Sequence, residues 1–280
     1  MKYIKRAALC AMSLLSSTVF ANDSTLNEET YSLGSTKYIS ESLNPLSSNF
    51  IEIDGQKIYV GITGWADTGG SSDLVLEQGA IKGWENSKGV WGYGLYNNDT
   101  RHNSQYGTYD THSLDNYTNE GSQDFDMFLI SFSEEVTLTS ASFSYKHGGD
   151  GEREITVAGL KNANAFQDAV NSTWSDVYST IVENTLGHFS LGNKVNGVFE
   201  SSFTNTISGT AQYWLVGAYN TVFDKNNTSH TGIGLKLSSL NIGLKDNTQQ
   251  PPSTEVSEPG ALALMSLGLG LVLYRRKRRV

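Results

Sequence analysis

The sequence predicts an all-β protein. One antiparallel β-sandwich, jelly-roll-like, spans residues 50–244 between an N-terminal secretory signal and a short apolar C-terminal span. Three observations carry this. Asp54-Gly55 separates two runs of β-branched and aromatic residues, Phe50–Ile53 and Lys57–Val60, which is a hairpin pattern. Ala141-Ser142-Phe143-Ser144-Tyr145 alternates strictly, as a half-buried strand does. The chain holds 28 Gly but only 4 Pro, and its middle is rich in Tyr, Thr and Ser, which favours strands and turns over helices.

Residues 1–21 have the form of a secretory signal peptide. Lys2, Lys5 and Arg6 supply the positive start, Ala7–Leu15 the apolar run, and Val19-Phe20-Ala21 the small-residue cleavage position. Signal peptidase would cut between Ala21 and Asn22 after export through the Sec pathway. The apolar run is too short to span a membrane. Cys10, the only cysteine, lies in this segment, so the mature chain has neither disulfide nor thiol chemistry, and any metal site must use oxygen or His ligands.

Residues 22–49 are polar, with Ser, Thr and Asn throughout, and read as a leader ahead of the folded body. After the Asp54-Gly55 hairpin, strands are expected at Leu74–Leu76 and Val90–Tyr96, with Gly61, Gly64, Gly69, Gly70, Gly79, Gly83 and Gly89 as turns between them. The central pair is Asp126–Phe132 and Val136–Leu138, joined through Ser133-Glu134-Glu135 and followed by Ala141–Tyr145; a further short strand covers Glu154–Ala158. Phe166, Ala169, Val170, Trp174, Val177 and Ile181 recur at three- and four-residue steps, so the spacing predicts a helix over 162–182. Strands resume at Gly197–Phe203, Gln212–Ala218 and Gly232–Leu244. Residues 245–256 include Pro251-Pro252 and one aliphatic side chain, Val256, and read as an extended disordered linker.

The net charge of −9 conceals an asymmetry: eight of the 20 Lys and Arg sit at the two termini, which leaves 12 against 29 Asp and Glu, or −17, in between. Such a body repels nucleic acid and anionic surfaces and excludes nucleic-acid binding. His102, His112, His147, His188 and His230 show no metal-binding spacing, and no G-x-S-x-G elbow or phosphate loop occurs. The chain is therefore read as a non-enzyme with no catalytic residues. Asp115, Asn116 and Asp124 lie on one acidic loop before the Asp126–Phe132 strand; they carry the ligand types of a structural Ca²⁺ site, and equally those of ordinary turns. Trp84, Trp91 and Tyr93 are candidates for stacking on sugar rings if exposed and for core packing if not.

The C-terminus, residues 257–280, is the most informative stretch. Glu258-Pro259 precedes an uncharged, mostly apolar run, Gly260–Tyr274, and five cations, Arg275, Arg276, Lys277, Arg278 and Arg279. As a transmembrane helix its 15 residues span roughly 22 Å at about 1.5 Å each, short of the ~30 Å hydrocarbon core. The cations would hold this end in the cytoplasm. The segment resembles a PEP-CTERM sorting domain, with Ser257 where the first Pro of the signature stands. The resemblance implies processing by an exosortase of a Gram-negative bacterium. It further implies transient inner-membrane anchoring, release to the cell surface or medium, an exopolysaccharide or biofilm setting, and a body that is often glycosylated. The body is in turn similar to the exosortase-dependent surface proteins through Gly92-Tyr93-Gly94-Leu95, His112-Ser113-Leu114-Asp115-Asn116, Asp126–Phe132, Val136-Thr137-Leu138 and Tyr213–Ala218. That family carries no assigned enzymatic activity. The expected protein is an exported surface or extracellular-matrix protein; the alternatives are a carbohydrate-binding module that holds exopolysaccharide and a glycoside hydrolase acting on it.

Overall fold

The computed structural model describes residues 26–67, 74–97, 112–119, 122–167, 171–227, 229 and 231–245. The signal peptide, its Ala21/Asn22 cleavage position and the C-terminal sorting segment lie outside them. Within them the chain is all-β: fourteen strands and a single α-helix.

The first hairpin forms as predicted. Strands β2 (Leu46–Ile53) and β3 (Gln56–Ala66) meet at Asp54 and Gly55, both at positive φ, 51° and 77°. That is the backbone a two-residue turn needs to match the twist of its strands. The chain continues through β4 (Glu77–Glu85) and β5 (Trp91–Tyr96). Three two-residue strands follow, β6 (Leu114–Asp115), β7 (Thr118–Asn119) and β8 (Ser122–Gln123). Next comes β9 (Met127–Gly148), 22 residues without a break. Beyond it lie β10 (Ile155–Leu160), β11 (Gly187–Phe189), β12 (Phe199–Ser202), β13 (Ala211–Ala218) and β14 (Ile233–Lys245).

The pairing closes on itself. β14 pairs with β5, β5 with β4, β4 with β3, β3 with β9, and β9 with β14, all antiparallel. Two open jelly-roll sheets were expected; instead, two sheets share strands at their corners and enclose a five-stranded barrel with extra strands on its edges. β9 forms one corner. Its residues 127–132 pair with β3, and residues 137–148 pair with β14. Ser133-Glu134-Glu135, expected as a turn, stays extended where the strand leaves one sheet for the other. Strands that switch sheets in this way make the corners of orthogonally packed sheets.

Glycines make another corner. Gly64 and Gly79 are direct partners across β3 and β4, and both lie under Leu95; a Cβ on Gly79 would sit 2.7 Å from the Leu95 side chain. Gly83 lies under Tyr93 in the same way, with 2.6 Å to its ring. Gly61, Gly64, Gly79 and Gly83 are thus strand residues rather than turns. Gly64, Gly79 and Gly83 leave room for the large side chains of β5, as strand glycines do where a sheet bends sharply, and Gly61 for the backbone at Ser42 and Asn44.

Two apolar clusters result. Phe128, Ile130, Phe132, Trp214, Val216, Ile155 and Val157 belong to the main core with Tyr93, Leu95 and the inward side of β14. Met127, Leu129, Leu215, Ala158 and Leu160, the alternate residues of the same strands, belong to a second core on the opposite face. That sheet is covered on both sides, which is why Met127–Phe132 and Trp214–Ala218 read as continuous apolar runs rather than alternating ones. The cover comes from Phe166, Trp174, Val177 and Phe223, whose rings stack at 6.4 Å (Phe166–Trp174) and 6.0 Å (Trp174–Phe223).

Three expectations are corrected. The helix over 162–182 reduces to a 3₁₀ turn, Asn164–Phe166, and α1, Trp174–Tyr178. Asn171 takes φ 79°, and Thr173 is an extended N-cap whose side chain and that of Asp176 form a reciprocal capping box, so no helix passes through 171–173. The three- and four-residue apolar steps reflect a segment laid over a sheet, not one continuous helix. Leu74–Leu76 is not a strand; the strand is β4, hidden in sequence by its glycines and charges. Residues 26–49 are not a leader. β1 (Leu26–Ser32) pairs residue for residue with β14, from Leu26↔Lys245 to Ser32↔Ser239, so these residues belong to the body. It reads as polar because an edge strand on the outer face offers mainly its backbone to the fold.

Candidate functional site

Four of the segments that carry the resemblance meet: Gly92–Leu95, His112–Asn116, the start of Asp126–Phe132 and the end of Tyr213–Ala218, whereas Val136–Leu138 lies at the other end of the β9–β13 pairing. A Cβ at Gly94 would run into the carbonyl of His112, and the Leu95 N–H donates to Ser113 O at 3.1 Å. The 112–117 connection therefore lies directly on β5. Asn116 is fully buried. Its Nδ2 donates to the Tyr219 carbonyl at 2.8 Å, and its Oδ1 accepts from the Ile233 N–H at 2.8 Å. One amide thus ties the chain beyond β13 to the start of β14. Gly217 admits no side chain because Met127 Cα would stand 2.7 Å from it. These motif positions have architectural reasons for their residue types.

The three calcium candidates occupy different surroundings. Asp115 Oδ1 accepts from the Tyr117 N–H at 3.2 Å, an Asx-type turn. Asn116 holds the backbone bonds just described. Asp124 is buried and hydrogen-bonds the carboxyl of Asp67. Among the described residues no three His, Cys, Asp or Glu side chains gather in a metal-binding group.

Asp67 was missed in the sequence. It follows β3, is buried, and receives hydrogen bonds on Oδ1 from the Phe125 N–H at 2.8 Å and from Trp174 Nε1 at 3.1 Å. Burial pushes its carboxyl up to about 7, against the opposing pull of those donors and of Asp124. Asp126, also buried, accepts from Asn97 Nδ2 at 2.8 Å. A glycoside hydrolase needs two carboxyls roughly 5–9.5 Å apart with a sugar between them. Asp67 and Asp124 are in direct hydrogen bond and enclosed, so they suit a shared proton in a wall of the second core. Nothing in the sequence marks Asp67, since burial at a strand end leaves no local pattern.

A second polar group surrounds Tyr219. Its hydroxyl donates to Asp224 Oδ2 at 2.9 Å, Arg153 Nε lies 3.7 Å from the same oxygen, and His188 packs edge-on to its ring at 5.1 Å. Burial and then the Asp224 charge push the Tyr219 hydroxyl up to about 12. Burial opposes ionisation of Asp224, yet the donors from Tyr219 and Asn226 hold it below the usual carboxylate range. Burial lowers His188, whose Nδ1 is 3.0 Å from Thr156 Oγ1. These bonds fasten the 219–227 loop.

Of the stacking candidates, Tyr93 is core: it is 0% exposed and its hydroxyl donates to Thr36 O at 2.8 Å. Trp84 is half-buried over Lys236 Nζ, which lies 5.2 Å from its ring and 4.0 Å from that of Tyr145. Trp91 is half-buried at the rim of a groove. No protein-family model matches the chain, and neither the curated proteins nor the solved structures hold a match to it.

Proposed function

We propose that the chain is an exported surface or extracellular-matrix protein of a Gram-negative bacterium, sorted and trimmed by an exosortase, associated with exopolysaccharide, and without catalysis of its own. The observation that carries this is the three-part C-terminus: Glu258-Pro259, the short span Gly260–Tyr274, and Arg275–Arg279. The body is compatible with trimming at both ends. Its first and last described strands pair with each other, Leu26 opposite Lys245. In this reading the two sheets packed over the main core serve as a sandwich-like scaffold for display, and the acidic surface keeps the released body soluble.

The test is the intact mass of the protein recovered from the surface or medium of the producing cells. The expected species begins at Asn22 and lacks everything from Gly260 onward, with any excess mass due to glycan. A recovered species that retains Arg275–Arg279 contradicts sorting by excision.

A further inference from the structure

We propose that the outer face of the strands β1, β14, β9 and β12 is a binding groove for a neutral or N-acetylated polysaccharide chain. The strands lie side by side in that order. Two cross-strand rows of polar side chains run over them. Ser32, Ser239, Ser142 and Glu200 are successive partners in one row; Thr30, Asn241 and Ser140 are successive partners in the next. The inward residue between the two rows is Leu240, paired with Ala141, and both are core. The rows therefore face outward and are not packing residues turned out by chance. They line a groove of about 590 Å³ together with Gly89, Val90 and Trp91.

An independent observation points to a ligand. Ser238 stands at a register shift in β14, between Leu237 and Ser239, and lines the groove. It is 8% exposed, and its hydroxyl has no hydrogen-bond partner among the described residues. A buried hydroxyl left unpaired costs on the order of 1–3 kcal/mol. A ligand hydroxyl reached by rotation about its side-chain bond would remove that cost.

The chemistry of the lining sets the class of ligand. Hydroxyls and one amide both donate and accept, as a polyol requires. Strand spacing of about 4.8 Å repeats them at an interval close to one pyranose ring. Trp91 supplies an apolar ring face at the end of the track. Among the described residues lining the groove Glu200 is the one that carries charge, and it is an anion, so uronic-acid polymers are disfavoured by repulsion. The inference rests on the groove alone, so its failure and failure of the sorting reading are separate results.

The experiment titrates the secreted mature protein with chitohexaose, cellohexaose, maltohexaose and polygalacturonate, followed by tryptophan fluorescence and calorimetry. At least one of the three hexasaccharides is expected to saturate, and polygalacturonate is not. Ser238→Ala is expected to weaken binding about fivefold to tenfold while the melting temperature holds or rises, because the hydroxyl it removes bonds none of the described residues. Ser142→Arg, which fills the groove from an outward position, is expected to abolish binding with melting unchanged. Absence of binding by all three hexasaccharides overturns the proposal. So does binding that both variants leave intact, or a preference for polygalacturonate.

Discussion

Replacing Glu154 with alanine is expected to lower stability by about 3–5 kcal/mol, the usual cost of breaking a buried ion pair from one side. Glu154 is 0% exposed and pairs with Lys146. Its Oε2 accepts from the Leu191 N–H at 2.8 Å, and its Oε1 accepts from the Gly151 N–H at 3.2 Å. Its own N–H and carbonyl bond Phe189 and Tyr219. One residue thus joins the β9–β10 turn to β11 and to the chain beyond β13. In a body of this size the loss corresponds to roughly 10 °C in Tm. The two partners are not equivalent. The Lys146 side chain is 21% exposed and can rehydrate, whereas that of Glu154 cannot. Lys146→Met should therefore cost more than Glu154→Gln, since it strands a buried carboxylate, and adding Glu154→Gln to Lys146→Met should restore part of the loss. Thermal melts of the wild type and the four variants decide this; a double variant less stable than Lys146→Met alone would refute the buried-charge account.

What the sequence shows of this fold depends on how local each determinant is. The Asp54-Gly55 hairpin is encoded by two residues whose backbone preference is their own, so it was legible. So were Met127–Phe132 and Trp214–Ala218, whose apolar runs are long enough to rise above their surroundings. β1 and β4 were not. Their residues are largely polar or glycine because their partners, β14 and the side chains of Leu95 and Tyr93, supply much of the apolar matter. Barrel closure is likewise a property of pairs far apart in the chain, such as Leu237 with Tyr93, and no window of sequence contains both.

The site was legible in type and not in placement. The acidic connection at 112–126 was visible as a cluster, but its meaning changes with its neighbours. Asn116 is a tie between two backbone strands, and Asp124 faces Asp67 across 57 residues of chain. Of three aromatics with equal standing in the sequence, Trp91 reaches a groove while Tyr93, two residues on, is sealed in the core. The outward hydroxyl rows are spread over four strands, and each alone is an ordinary alternating strand; only their register assembles them.

The pH dependence of stability should be dominated by Asp67. Its folded carboxyl titrates near 7, above the ordinary range near 3.8 that it regains on unfolding. Between those values the unfolded chain has lost the proton that the folded chain keeps, so the folded state binds more protons and stability falls as pH rises. The contribution is full below about pH 4, declines through the window up to about 7, and is flat above it. The span amounts to a few kcal/mol, about 1.4 kcal/mol for each pH unit of the window at most. Asp67→Asn should remove this slope. Its amide oxygen can accept from Phe125 and Trp174 as the carboxyl does, and the side chain carries no titratable group. The variant is therefore expected to match the wild type at about pH 3.5 and to exceed it at pH 8. Asp67→Ala, which strands a buried N–H and the indole N–H, should be weaker than both at either pH. Urea unfolding at the two pH values, taken as the difference between wild type and Asp67→Asn, cancels the titration of the other carboxylates, including Asp150 and Asp224, which the fold holds below their usual range and which act in the opposite direction. A difference that does not change with pH would show that the buried pair at Asp67 and Asp124 holds no proton at neutral pH.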